Sequence, residues 1–187
     1  MIQSQNVRKY NINKDYFKAW SRNMAYIFGF WCADGCIYNG RIFDITIHKK
    51  DKYILKKIAE ELEYQGNLYD SVDRQVVRIN FSCKEIYDDI LNLGGCERKS
   101  NVSKFPNIPT EYLPDFIRGY FDGDGCIMNL KGDRINSAFT SGSKEFLDCL
   151  LEILKRDAGV LGGSYDPSSK SLRFGKKDSI KIGEYIY

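Results

Sequence analysis

The segment AYIFGFWCADGCIYN, residues 25–39, is the most informative part of the sequence because the chain contains a second, similar copy of it. Residues 115–129 read DFIRGYFDGDGCIMN, at a constant offset of 90 positions (115 − 25). The identical pairs include Gly29/Gly119, Asp34/Asp124, Gly35/Gly125, Cys36/Cys126, Ile37/Ile127 and Asn39/Asn129. An internal repeat of this kind predicts two copies of one structural unit.

The similarity extends beyond the two motifs. Residues 53–62 and 145–154 share apolar positions every three to four residues, which predicts amphipathic helices. Turn-rich segments that follow each of them predict hairpins. We therefore expect an α/β (α+β) chain of tandem, pseudo-symmetric αββαββ repeats, each leading into a further helix. The predicted organisation is an N-terminal extension at 1–24, a first repeat at 25–93, a linker at 94–114 and a second repeat at 115–187.

The predicted strands alternate between apolar and polar residues. In RIFDITIHK, Phe43, Ile45 and Ile47 point to one face, and Asp44 and Thr46 point to the other. This alternation predicts sheets with an apolar face under the helices and a polar face that needs a function.

The motif helix AYIFGFWCA is apolar all round, which is typical of a buried helix. Small residues four apart (Gly29 with Ala33, Gly119 with Gly123) let two helices approach closely. Side-by-side motif helices would bring Asp34 and Asp124 together at their negative ends. Like charges repel there, so a divalent cation is the simplest compensation, and oxygen ligands favour Mg²⁺.

An ordinary alternative exists for each Asp-Gly pair. Such pairs often end helices as a cap or turn, with the glycine in a left-handed conformation. A single motif would favour that interpretation. Two motifs at matched positions, each on an apolar helix, favour a metal site.

Composition adds weaker constraints. The chain has six cysteines without a C-x-x-C pair and a single histidine, so we expect no structural zinc, reduced thiols and several cysteines in the core. No apolar run is long enough for a membrane span and the N-terminus lacks an apolar signal core, which predicts an intracellular protein of the cytoplasm, nucleoid or an organelle. The net charge of +3 is only a mild bias toward polyanions.

The stretches FGFWCADG and IRGYFDGDG, 28–35 and 117–125, resemble the two signature motifs of LAGLIDADG homing endonucleases. Cys32 departs from the pattern, since it stands where the motif has an earlier acid. Two motifs in one chain are similar to the monomeric, pseudo-symmetric members. The resemblance implies a saddle of two four-stranded sheets around central motif helices, with Asp34 and Asp124 binding Mg²⁺, or Mn²⁺, at the scissile phosphates of double-stranded DNA.

The resemblance also implies that the polar sheet faces read the DNA major groove. For any single residue a solvated surface role remains the alternative. The implied DNA-binding residues are Arg41, Asp44, Thr46, His48, Arg78 and Asn80 in the first repeat, and Arg134, Asn136, Thr140 and Arg173 in the second.

Two lysines match catalytic positions of the family. Lys49 follows the alternating strand, although Lys50 could take its role, and Ser141 is its weaker partner in the second repeat. Lys99, in CERKS, matches a lysine near the metal. The second repeat stops at Tyr187, near the equivalent of Asn92 or Leu93, so we expect the counterpart of RKS and part of a terminal helix to be missing.

Three functions follow from these patterns. The leading hypothesis is a monomeric, Mg²⁺-dependent, site-specific endonuclease that cuts a long, partly asymmetric DNA target. The second is a nucleic-acid-binding protein without nuclease activity, either an intron RNA maturase or a DNA-binding regulator. The third is a duplicated α/β protein with no nucleic-acid role, which predicts no salt-dependent DNA affinity.

Overall fold

The computed structural model describes residues 10–71, 73–97, 104–130 and 134–187, with main chain only at 129, 130 and 134. Two units of the same order follow one another. The first contains α1 (Arg22–Asp34), β1 (Gly35–Tyr38), β2 (Ile42–His48), α2 (Lys52–Glu61), β3 (Tyr69–Ser71), β4 (Val76–Ser82) and α3 (Lys84–Asn92). The second contains α4 (Leu113–Asp124), β5 (Gly125–Leu130), β6 (Arg134–Thr140), α5 (Lys144–Asp157), β7 (Ser164–Asp166), β8 (Ser171–Phe174) and α6 (Lys176–Ile186). The predicted tandem αββαββ architecture is confirmed.

Each unit forms an antiparallel four-stranded sheet, in the orders β1-β2-β4-β3 and β5-β6-β8-β7. Tight hairpins set the register: Asn39 and Gly40 turn the first one with φ of 54° and 66°. Cys36 then lies opposite Asp44, and its repeat partner Cys126 lies opposite Ala138. Because Cys36 and Cys126 are repeat partners, this register makes Asp44 and Ala138 equivalent positions of the two sheets.

The predicted alternation along β2 is confirmed. Phe43, Ile45 and Ile47 are buried under the helices, while Thr46 and His48 are exposed on the opposite face. The helices contribute amphipathic faces to the same core, because apolar side chains recur at helical spacing. One apolar core therefore sits between helices and sheets, and both polar sheet faces point away from it.

The two motif helices form the centre of the molecule. A methyl group added at Gly29 would lie 2.0 Å from the carbonyl oxygen of Phe116, and one added at Gly119 would lie 2.0 Å from that of Tyr26. Backbones approach this closely only where a side chain is absent. The predicted seam of small residues is thus confirmed, and it holds α1 and α4 in their most extensive helix–helix contact.

α6 spans 11 residues and α3 spans nine. The expectation about the cysteines is wrong. Of the six cysteines only Cys83 is buried, and Cys36, Cys126 and Cys149 are exposed. Alternation places Cys36 and Cys126 on the polar faces, which apolar neighbours in sequence do not reveal.

The helix starts depart slightly from the predicted repeat boundaries. α1 begins at Arg22 because the hydroxyl of Ser21 accepts the main-chain N–H of Met24 at 3.1 Å, an N-cap. α4 begins at Leu113 with Pro114 in its first turn. Within the described part of the chain, no helix is long and apolar enough to cross a membrane.

Candidate metal site and nucleic-acid interface

Asp34 and Asp124 are the last residues of α1 and α4. The glycines that follow them are extended, with φ/ψ of −91°/167° at Gly35 and −87°/160° at Gly125. These glycines are not left-handed caps, so the ordinary explanation of the Asp-Gly pair does not apply. Close packing explains them instead, because a methyl group at Gly35 would lie 2.1 Å from the Trp31 ring. Each helix passes directly into a strand, with its acid at the junction.

The seam brings the acid of the first repeat against the second motif. The Oδ2 atom of Asp34 would lie 3.0 Å from a methyl group at Gly123, the residue before Asp124. Both carboxylates are half-buried at the C-terminal ends of their helices, where the helix dipole is negative. The pKa of Tyr120 is raised, mainly by burial, and the negative charges of Asp124 and Asp34 raise it further.

A cleft of about 550 Å³ opens beside Asp34. It is also lined by His48, Asp51 and Asp122. The Nδ1 atom of His48 accepts the main-chain N–H of Lys50 at 3.2 Å, so the neutral ring carries its proton on Nε2. The cleft therefore has carboxylates and one ring N–H donor among its lining residues.

A second space, of only about 30 Å³, lies between Cys32 of the first motif and Tyr120 of the second, and Asp124 is not among its lining residues. Ser141 and Lys104 also line it. Cys32 corresponds to Asp122 under the repeat, so the two spaces have equivalent positions but different chemistry. The two halves of the candidate site are not copies of each other.

Asp122, the earlier acid of the second motif, is held by tyrosines. Its carboxylate accepts the hydroxyl of Tyr26 at 2.9 Å, across the seam, and the hydroxyl of Tyr187. Burial and the neighbouring Asp122 raise the pKa of Tyr26. Asp122 thus joins the two repeats, and Cys32 at the corresponding place cannot make the same contacts.

Two carboxylates form a site with few protein ligands, which suits Mg²⁺. Among residues 10–71, 73–97, 104–130 and 134–187, no three His, Cys, Asp or Glu side chains converge on one point. Mg²⁺ is commonly held by one or two carboxylates, with waters and substrate phosphates completing its shell. Asp34 and Asp124 supply that number of carboxylates, whereas zinc would require more protein ligands.

The lysine predictions have different outcomes. The Nζ atom of Lys49 lies 2.8 Å from the carboxylate of Asp70, which also pairs with Lys52 at 2.8 Å. These contacts lower the pKa of Asp70 and direct Lys49 toward β3 rather than into the cleft. Lys50 is exposed. Lys99 lies outside the described residues.

The polar face of the first sheet carries a connected network. Asp44, on β2, is 4% exposed and accepts Nε of Arg78 at 2.5 Å and Nδ2 of Asn80 at 2.6 Å. The hydroxyl of Tyr38 accepts Nη2 of Arg78 at 3.0 Å and Nδ2 of Asn80 at 3.1 Å. Asp44 lies on the polar face as expected, but it is buried beneath its partners rather than exposed. The role of Tyr38 was missed, although β1 alternation would have placed it on this face.

The polar face of the second sheet is organised differently. Arg173, which is exposed, pairs with Asp166 at 2.8 Å and donates to the hydroxyls of Ser171 and Ser169. Hydrogen bonds from Ser168 are the largest cause of the lowered Asp166 pKa, about 2. Asp166 was also missed, because its turn-rich context is equally typical of a hairpin loop.

The remaining predicted DNA-binding residues lie on the same faces or at their margins. Arg41 is exposed in the β1–β2 turn, Thr46 and Thr140 are exposed on central strands, and Asn136 is half-buried on β6. Arg134 begins β6, and only its main chain is described.

Comparison with known proteins agrees with this architecture. A model of the LAGLIDADG-like domain matches residues 111–161. In Methanocaldococcus jannaschii, the DNA-directed RNA polymerase subunit Rpo1C is 29% identical over 152 residues, 78% of this chain and 16% of that protein. The probable translation initiation factor IF-2 of the same organism is 44% identical over 64 residues, 32% of this chain and 5% of that protein. The chain thus spans only a small part of either relative.

Solved structures share the fold at low identity. The homing endonuclease I-WcaI, bound to its DNA recognition sequence, superposes with a TM-score of 0.62 and 15% identity, covering 92% of this chain and 85% of that one. The N-terminal LAGLIDADG domain of DUF199/WhiA gives 0.61 and 15%, covering 93% and 87%. I-SmaMI, bound to uncleaved DNA with calcium ions, gives 0.58 and 12%, covering 89% and 85%.

The two sheets, the glycine seam and the paired motif acids define a protein of the LAGLIDADG fold. The LAGLIDADG-like domain model matches residues 111–161, most of which lie in the second repeat, and the first repeat has the same arrangement of helices and strands. The resemblance found in the sequence is confirmed.

Proposed function

We propose that the chain is a Mg²⁺-dependent, site-specific DNA endonuclease that acts as a monomer. The observation that carries this proposal is the position of Asp34 and Asp124 as the last residues of the packed helices α1 and α4, with Oδ2 of Asp34 3.0 Å from a methyl group placed on Gly123. A purely structural seam would not favour two acids at the negative ends of adjacent helices. Both motifs and both sheets are in one chain, which supports a monomer.

In this proposal Asp34 and Asp124 hold the cation and orient it toward the DNA. Bound Mg²⁺ activates water and stabilises the leaving oxygen of a phosphodiester. His48 donates its Nε2–H to a phosphate oxygen in the larger cleft, and the polar sheet faces hold the duplex. Phosphate contacts position the DNA, and side chains that reach base edges select its sequence.

The test begins with a cleavage selection on a randomised double-stranded library with Mg²⁺. A plasmid that carries the selected site should be cut, and EDTA should protect it. Asp34→Asn and Asp124→Asn should each reduce double-strand cutting by at least about 100-fold and leave nicked circles, while DNA affinity is retained. Asp148→Asn, on the exposed face of α5, is the matched control and should cut normally. Normal cutting by both motif variants would reject the proposed roles.

A second candidate is a DNA-binding protein without cleavage. The small, Cys32-lined space beside the second motif favours it, since one half of the site is less open than the other. The fold shared with the DUF199/WhiA domain is compatible with it. Sequence-specific DNA binding that survives Asp34→Asn, in a protein that never nicks DNA, would support this candidate. Preference for structured RNA over duplex DNA would instead support the RNA alternative.

We do not extend the polymerase and initiation roles of the two M. jannaschii relatives to this chain. The matching segments make up 16% and 5% of those proteins. Similar segments within proteins of unrelated activity support a module whose function is independent of both.

A further inference from the structure

The polar faces of the two sheets differ at one central position. Asp44 and Ala138 are equivalent, because Cys36 pairs with Asp44 and Cys126 with Ala138. Asp44 is 4% exposed, whereas the second sheet has only a methyl group there. A buried carboxylate at the centre of a polar face is unfavourable unless its partners surround it. The hydrogen-bond partners of Asp44 should therefore account for its burial.

The partners of Asp44 account for most of its accepting capacity. Its Oδ2 atom accepts Nε and Nη2 of Arg78, and Nδ2 of Asn80 at 2.6 Å. Its Oδ1 atom accepts the hydroxyl of Thr46 at 3.1 Å. Both nitrogens of Arg78 donate to the same carboxylate oxygen, and charge-assisted hydrogen bonds of this kind are stronger than neutral ones, so they restrain the guanidinium group.

The pairing leaves one edge of Arg78 for a ligand. A guanidinium has five N–H groups. Nε–H and Nη2 are used by Asp44, and Nη2 also donates to Tyr38 at 3.0 Å. The described residues provide no hydrogen-bond acceptor for Nη1, and the Arg78 side chain is 39% exposed. Asp44 on β2 and Tyr38 on β1 thus hold the guanidinium group on the polar face, with Nη1 available to a ligand.

We propose that Asp44 is a positioning residue that orders Arg78, and that Arg78 reads a base edge in the half-site under the first sheet. This proposal rests on the DNA-binding part of the proposed function. Arginine contacts with guanine are the commonest specific contacts in the major groove. A guanidinium that is already ordered loses less entropy on binding and discriminates more sharply than a mobile one.

The second sheet cannot repeat this contact. Arg78 lies opposite Thr46, and the equivalent residue, opposite Thr140, is Ser171. Arg173 lies opposite Ala138 instead, two residues away along β8. Two residues of a strand span about 6.6 Å, comparable to about two base-pair steps. The arginine contacts of the two half-sites should therefore be displaced relative to the pseudo-two-fold axis, which makes the target asymmetric.

The ordering of Arg78 can be tested on the free protein. In ¹⁵N-edited NMR spectra, the Nε–H signal of Arg78, assigned by its loss in Arg78→Lys, should be shifted and protected from exchange. Asp44→Asn, which keeps the shape of the side chain, should return that signal to the position of exposed arginines. Asp166→Asn is the matched control in the second sheet and should leave it unchanged. An unchanged Arg78 signal in Asp44→Asn would overturn the positioning role.

The reading role is tested by selecting bound sites from a randomised duplex library with wild type, Asp44→Asn and Asp166→Asn. Asp44→Asn should relax base preference about ten-fold at one or two adjacent pairs in one half-site, and Asp166→Asn only in the other. Tyr38→Phe should relax the same pairs as Asp44→Asn, to a smaller extent. Uniform loss across all positions would indicate a merely structural role and overturn the proposal.

The two experiments separate the inference from the function on which it rests. A wild-type protein that selects no sequence would reject both the proposed function and the reading role of Arg78. The Nε–H signal would still decide whether Asp44 orders Arg78. Clear selection by wild type, unchanged in Asp44→Asn, would reject this inference alone.

Discussion

A methyl group placed on Gly29 would lie 2.0 Å from the carbonyl oxygen of Phe116. The two motif helices are therefore in backbone contact, and the repeats cannot separate without exposing this seam. Gly123 extends the seam to Ala33 and Asp34 at the end of α1. The glycines of one seam thus lie both between the helices and beside a motif acid.

The first prediction concerns this contact. Gly29→Ala should lower the free energy of unfolding by about 1–3 kcal/mol or more, because the added methyl group forces two backbones apart. Gly183→Ala is the matched control: it is also in a helix, with no atom within 4 Å of the added methyl group. It should be neutral or stabilise by about 0.5–1 kcal/mol. Urea unfolding followed by circular dichroism measures both, and equal midpoints would contradict the seam.

The second prediction concerns Gly123. A methyl group there would lie 2.5 Å from Cβ of Ala33 and 3.0 Å from Oδ2 of Asp34. Gly123→Ala should displace the acids and reduce Mg²⁺-dependent cleavage at least about ten-fold, since small displacements at a catalytic site have large effects. DNA affinity, measured by fluorescence anisotropy, should change little because the sheet faces are distant from the substitution. Unaltered cleavage by a folded variant would show that the spacing of the acids is unimportant.

The third prediction concerns the buried partner of Arg78. Arg78→Ala leaves the carboxylate of Asp44 without its cation, although Asn80 and Thr46 still donate to it. We expect a loss of about 1–3 kcal/mol in unfolding free energy, below the full effect of breaking a buried pair because Arg78 is partly exposed. The double variant Asp44→Ala/Arg78→Ala should recover part of this loss. A double variant as unstable as the sum of the single variants would contradict the coupling.

The fourth prediction concerns pH. Desolvation raises the pKa of Asp89 above its ordinary 3.8, and within the described structure its Oδ2 atom has no hydrogen-bond partner. As pH rises through 3.8 and then through the raised value, the unfolded chain loses this proton before the folded one does. The Asp89 contribution to stability therefore falls with rising pH over that interval.

Asp89→Asn should accordingly raise the melting temperature at pH 7 while changing it little near pH 3. Asp88→Asn is the control, because the side chain of Asp88 is 46% exposed and pairs with Lys84 on the helix surface. Its loss should have a small effect of the opposite sign at pH 7. Melting curves of the three proteins from pH 3 to 7 measure the difference. Parallel curves for wild type and Asp89→Asn would contradict the shift.

The repeated motif and the alternation along the strands are features that the sequence predicted correctly. The repeat of Gly29 and Asp34 at Gly119 and Asp124 predicted the two units and the seam between α1 and α4, because similar local patterns adopt similar local structures. Strand alternation predicted the polar faces, since neighbouring side chains must point to opposite sides. These inferences need only local geometry.

Other features depend on partners that are distant in sequence. Asp44 looked like an exposed DNA reader, and only the pairing of β2 with β4 shows that Arg78 and Asn80 cover it. Lys49 matched a catalytic position, but its contact with Asp70 depends on where β3 lies. The pKa of Asp70 and the exposure of Asp44 follow from such contacts, which a linear pattern does not specify.

The duplicated fold, the apolar and polar faces and the two motif acids could be read from the amino-acid sequence, because periodicity and an internal repeat depend on neighbouring residues. How the two halves differ in burial and hydrogen bonding became visible only in the folded structure. At the seam, Asp122 of the second repeat lines the larger cleft, and the equivalent Cys32 lines the smaller space. On the sheets, Asp44 binds Arg78, and the equivalent Ala138 has no carboxylate to do so. Burial and hydrogen-bond partners are properties of the assembled structure, so only the fold reveals the asymmetry within the repeat.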